Sequence, residues 1–108
     1  MLILFDHGTP RGLIRGLPGH TVITAQSRGW DRLSNGKLLP AAEEAQFAVL
    51  LTTDKNIRYQ QKLQGRRIAI VVVGNPQRPA VHRYIDRVVA AVDAATPGSY
   101  VEVEIPFS

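Results

Sequence analysis

The chain reads as an α/β domain: a three-layer sandwich whose middle layer is a mainly parallel sheet of about five strands. Three observations predict it. Short apolar runs such as Leu2–Phe5 and Ile68–Val73 are continuous rather than alternating, the mark of strands buried on both faces. They alternate along the chain with segments of helical period, at a spacing that suits parallel crossovers. The chain has 108 residues, of which 44% are hydrophobic and 20% charged; that fits one folded domain over 1–108 with a modest core.

Leu2–Phe5 is the first strand, and Asp6 ends it. Thr9-Pro10 is a helix start, Thr as N-cap and Pro in the first helical position. That helix runs to about Arg15, where Gly16, Pro18 and Gly19 stop it. Thr21–Thr24 is a β-branched second strand. Ser27 to Asn35 is loop or a helical turn. Ser34 or Asn35 caps the next helix, which carries Leu38, Leu39, Ala42, Ala45 and Gln46 inward and Glu43 and Glu44 outward. Pro40 requires that helix to begin close before it. Phe47–Leu51 is the third strand, left through Thr52-Thr53-Asp54, and Lys55–Leu63 is a short polar helix. Arg67–Val73 is the fourth strand, closed by Gly74-Asn75-Pro76. Pro79–Ala95 is the best helix, with Val81, Ile85, Val88, Val89 and Val92 on one stripe. Tyr100–Ile105 alternates, as a half-exposed edge strand does.

Composition removes several functions. There is no cysteine, hence no disulfide scaffold, thiol catalysis or cysteine zinc site. The opening residues enter a core strand directly, so no signal peptide is expected. The longest aliphatic run is too short to span a bilayer, and a cytoplasmic protein without membrane attachment is the expectation. The net charge is +4, and from Lys55 to Arg83 there are seven basic residues and no acidic one. Such an excess is either a solvated face or a surface for a polyanion such as nucleic acid.

Asp6 and Asp54 each stand just past the carboxyl end of a buried strand. Sites in open α/β sheets form in the crevice outside those ends. One Asp there ordinarily caps the following helix. Two at equivalent strand ends point instead to a shared divalent cation, since close carboxylates repel. Thr53 stands beside Asp54 as an orienting hydroxyl, whereas Thr52 reads as ordinary strand propensity. Lys55, Asn56 and Arg58 follow at the rim, and Arg11 lies one turn into the first helix; all four are candidates for a nucleic-acid backbone. His7, His20 and His82 match no zinc spacing. Trp30 is a base-stacking candidate or a plug for the core edge.

Ile3-Leu4-Phe5-Asp6 with Thr9-Pro10, and Val49-Leu50-Leu51-Thr52-Thr53-Asp54-Lys55-Asn56, resemble the two signature segments of short bacterial PIN-like proteins, relatives of the VapC toxins of toxin–antitoxin operons. The resemblance runs from Met1 to about Gly74 and more loosely beyond. It implies a PIN-like fold and a Mg²⁺- or Mn²⁺-dependent endoribonuclease site with Asp6 and Asp54 as metal ligands and catalytic residues. It also implies an RNA substrate, an antitoxin protein and a homodimer as partners. An intermediate acid of the family falls on Asn35, followed by Leu38 and Ala42 at the family's spacing. Asn35 is neutral, so the alternative is a catalytically weak PIN-like module that binds RNA or a protein partner. Asp31, four residues earlier, is either a candidate to supply the missing charge or a loop residue; Glu43 and Glu44 stand too far along the helix. A phosphoacceptor receiver domain would need paired acids after the first strand and a Lys after the last, and Asp6 is single.

Overall fold

Strands that are apolar on both faces need cover on both sides, and strand–helix alternation supplies it. The computed structural model describes residues 1–6, 9, 14, 16–57, 65–74 and 85–103. Five strands, β1 (Leu2–Phe5), β2 (Thr21–Thr24), β3 (Val49–Thr52), β4 (Ala69–Val73) and β5 (Tyr100–Val103), form one sheet in the order β2-β1-β3-β4-β5, every neighbouring pair parallel. The chain builds outward from β1 in one direction with β2 and in the other with β3, β4 and β5. The crevice between the carboxyl ends of β1 and β3 is therefore the switch point of the sheet.

The two-residue period of the strands divides the core in two. Ile3, Phe5, Val49, Leu51, Ala69, Val71 and Val73 face one way and pack on Val88 and Val92 of helix α2 (Ile85–Asp93). Leu4, Leu50, Ile70 and Val72 face the other way and pack on Leu38, Leu39 and Ala42 of helix α1 (Asn35–Glu44). This is a three-layer α/β sandwich. A single 3₁₀ turn, Gln26–Arg28, follows β2. Among the described residues no helix is long and apolar enough to cross a membrane.

The joints differ from the sequence reading in three places. β3 begins at Val49 rather than Phe47 because Phe47 still closes α1. Its amide donates to Ala42 O at 3.0 Å, the Gln46 amide donates to Glu43 O at 3.0 Å, and Gln46 holds φ at 67°. That is a Schellman closure with Gln in the position glycine usually takes. β4 begins at Ala69 rather than Arg67, and the Arg67 amide donates to Glu43 Oε2 at 2.9 Å instead. Glu43 is thus a half-buried anchor, not a solvated residue. Pro40 is the sixth residue of α1, past the first turn, so Gly36 O lacks its helical donor; both residues are exposed to water, which limits the cost. The expected helices over Pro10–Arg15 and Lys55–Leu63, the start of the last helix and the end of the last strand lie largely or wholly outside the described residues.

Candidate functional site

Parity and register bring the site together. Phe5 pairs with Leu51, so the next residues, Asp6 and Thr52, stand side by side as the strands end. By the alternation of the pleat both turn toward the α1 face, as Leu4 and Leu50 do. The Asp6 amide continues the ladder to Leu51 O at 3.0 Å. Thr9 ties the next turn to β3, its hydroxyl donating to the same Leu51 O at 3.0 Å.

Thr52 is the centre of the arrangement and fully buried. Its hydroxyl donates to Asp6 Oδ2 at 2.8 Å and accepts the Asp54 amide at 3.2 Å. A hydroxyl can do both at once, and here it ties the end of β1 to the end of β3. The expectation of plain strand propensity at Thr52 is therefore overturned. The readable signal was its parity with Asp54 two residues on, but the signal becomes visible only once β1 and β3 are known to be neighbours.

Asp54 does two things. Its Oδ1 accepts the Asn56 amide at 2.9 Å, a capping bond, and its Oδ2 accepts from Asn35 Nδ2 at 2.9 Å. Capping and site are not alternatives at this residue. Asn35 is the first residue of α1, after an N-cap Ser34 whose side chain makes no capping bond. An ionised carboxylate accepts only, so the amide must present its NH2 to Asp54 and turn Oδ1 elsewhere. Asp6, Thr52, Asp54 and Asn35 form one hydrogen-bonded chain, half-buried at its carboxylates.

Lys55 and Asn56 are exposed beside this chain, and Ile57 is driven into the core at 0% exposure, which anchors the turn that carries them. Asp31 is exposed on the turn before α1. Among the described residues no three His, Asp or Glu side chains gather in a way that could hold a metal. Arg11 and Arg58 lie outside the described residues, as do His7 and His82. Trp30 packs edge-on to Phe47 with ring centres 6.0 Å apart, and the Arg28 guanidinium lies 4.6 Å over its ring, so it seals a core edge. A hollow of about 440 Å³ lined by Glu43, Glu44, Gln46, Phe47, Arg67 and Ile68 lies at the opposite end of α1, where Glu43 is already held by Arg66 and Arg67. It lies away from the switch point of the sheet.

The donor set suits a hard cation of modest demand. Mg²⁺ is commonly held by one or two carboxylates, with waters and phosphate oxygens filling the rest. Asp6 and Asp54 are the carboxylates that would hold it. Asn35, as oriented, donates its NH2 to Asp54 and would offer a cation only its Oδ1.

Fold and site define a doubly wound parallel α/β domain with a carboxylate pair at its switch point. Comparison with family models, with curated proteins and with solved structures finds no match to this chain.

Proposed function

We propose that this is a divalent-cation-dependent endoribonuclease, acting in the cytoplasm as the toxin of a toxin–antitoxin pair, as its resemblance to PIN-like proteins suggests. The observation that carries the reading is the meeting of Asp6 and Asp54 through the Thr52 hydroxyl. Asp6 and Asp54 would hold Mg²⁺ or Mn²⁺, Thr52 fixes their separation, and the basic stretch after Asp54 draws in the phosphate backbone. A cation bound there would neutralise the phosphodiester and lower the pKa of an attacking water. The antitoxin partner and a homodimer come with the resemblance alone.

A second reading has its own observation. The third acid is replaced by Asn35, whose NH2 is spent on Asp54, and a site one charge short favours a module that binds RNA without cutting it. One assay separates the two. The purified chain is incubated with RNA and Mg²⁺ or Mn²⁺, beside Asp54→Asn, which keeps an acceptor for the Asn56 amide. Cation-dependent cleavage lost in the variant supports the nuclease; RNA binding without cleavage supports the module.

A further inference from the structure

Gly74 ends β4 on the same side of the sheet as the carboxylate pair. A Cβ at Gly74 would stand 3.2 Å from both Cε and Nζ of Lys55 and 3.4 Å from Val103 O. Lys55 therefore does not extend away from the molecule. Its stem crosses the end of β4, and its ammonium rests near the end of β5. The root of the side chain is held on both sides, by the Asp54–Asn56 capping bond before it and by buried Ile57 after it. Among the described residues the ammonium forms no ion pair, although Asp54 is its neighbour in sequence. The crevice thus carries negative charge over β1 and β3 and a positioned cation over β4 and β5.

We propose that Gly74 is the seat that sets Lys55 as a phosphate clamp. The ammonium holds a backbone phosphate of single-stranded RNA next to the one lying at Asp6 and Asp54, and the missing side chain of Gly74 is what lets it lie there. Lys55 makes the contact; Gly74 is a positioning residue. An RNA strand carries one charge per nucleotide, so a strand crossing the sheet ends can offer one phosphate to the carboxylate side and a neighbouring one to the ammonium. The inference rests on the reading of the site as an RNA site but not on cleavage.

The geometry supplies a clean probe. Gly74 does not hold the left-handed φ that excludes side chains, and what a new Cβ meets most closely is the flexible end of Lys55. Binding of a short fluorescein-labelled oligouridylate is followed by anisotropy in EDTA across a range of salt. Lys55→Gln is expected to weaken binding roughly tenfold, the scale of one charge-assisted hydrogen bond. It should also flatten the slope of log K against log salt by about 0.7, one phosphate contact on a single strand. Gly74→Val should reproduce both effects and Gly74→Ala part of them, and in the Lys55→Gln background Gly74→Val should add nothing. Thermal melts serve as the folding control; if Gly74→Val melts early, the Ala and Lys55→Gln arms decide. Unchanged affinity and slope in Lys55→Gln overturn the clamp. An equal loss from Gly74→Val with and without Lys55 overturns the seat. Binding is read in EDTA and cleavage in Mg²⁺ or Mn²⁺, so a failure to cleave in the metal assay overturns the nuclease reading and leaves this one standing, and unchanged binding in Lys55→Gln overturns this one and leaves the nuclease reading standing.

Discussion

The two ends of the sheet treat their charges differently. At the amino end, carboxylates meet side-chain donors from other layers. Glu43 accepts from the Arg66 guanidinium at 2.6 Å and from the Arg67 amide, and Asp93 of α2 lies 2.8 Å from His20 Nε2, whose Nδ1 faces the N-terminal amine at 3.1 Å. Each of these contacts ties one layer or strand to another. At the carboxyl end, Asp54 accepts from a backbone amide and a side-chain amide, and the Thr52 hydroxyl donates to Asp6. Neutral donors position a carboxylate without cancelling its charge. The amino end joins its layers through Glu43 and Asp93, and the carboxyl end joins β1 to β3 through the Thr52 hydroxyl.

The largest expected effect tests the amino end. Gly98, in the turn before β5, holds φ at 79°, and a Cβ there would stand 2.6 Å from Arg66 O. Gly98→Ala meets both a strained backbone and a carbonyl that cannot step aside, and should cost about 3 kcal/mol in a urea titration. RNA binding per folded molecule should be unchanged; a change there would break the separation of the two ends. Next comes Thr52→Val at the carboxyl end. The shape is nearly kept, but Asp6 Oδ2 and the Asp54 amide lose their shared partner in a buried setting, at about 2 kcal/mol. Thr52→Ser should restore most of it. Equal stability of Thr52→Val and the parent chain would show that the hydroxyl does not hold the pair.

Much of this was legible in the sequence, and for a physical reason. Leu2–Phe5 and Thr21–Thr24 fall where they were expected because Asp6 and Ala25 end apolar runs that no helix pattern competes with. The edges of β3 and β4 were misplaced because Phe47 and Arg67 read as strand residues, while tertiary bonds to Ala42 and Glu43 claim their amides. Asp6 and Asp54 were visible as strand-end acids. Thr52 was not, because its role depends on which strands are neighbours, and strand order is not a local property. The amide orientation of Asn35 was hidden for the same reason: it depends on a carboxylate nineteen residues away.

Asn35→Asp sharpens the comparison with an effect that changes sign. Without cation, the variant loses the donor to Asp54 and sets a third charge beside it. Partial exposure softens the cost to about 1 kcal/mol. With Mg²⁺ or Mn²⁺ the added charge becomes a ligand, and a cation at ten times its Kd returns about 1.4 kcal/mol. The melting temperature of the variant should start below that of the parent chain and rise further on titration with metal, and any nuclease rate should rise with it. Cation-independent melting in both chains would remove the carboxyl end as a metal site. Asp31→Asn, on an exposed turn, should change neither curve by more than about 0.5 kcal/mol.

One further effect has a dependence on pH that can be signed. Burial pushes the Glu43 carboxyl up, but the Arg67 amide, the Arg66 guanidinium and the Ile68 amide together outweigh it, and the group sits below its ordinary value of 4.5. A carboxyl whose pKa is lower folded than unfolded stabilises the fold when ionised. Its contribution is complete above the unfolded value and is lost as pH falls through the folded one. Glu43→Gln keeps one acceptor and removes the charge, so at neutral pH it should cost about 1 kcal/mol, the upper range for a partly exposed ion pair. The gap between the two urea midpoints should hold steady from pH 7 to about 5, narrow below about 4.5 and close once Glu43 is protonated in the folded chain. A gap that ignores pH would mean that Glu43 acts through packing and not through charge, and the amino end would then lose its claim to be held by ion pairs.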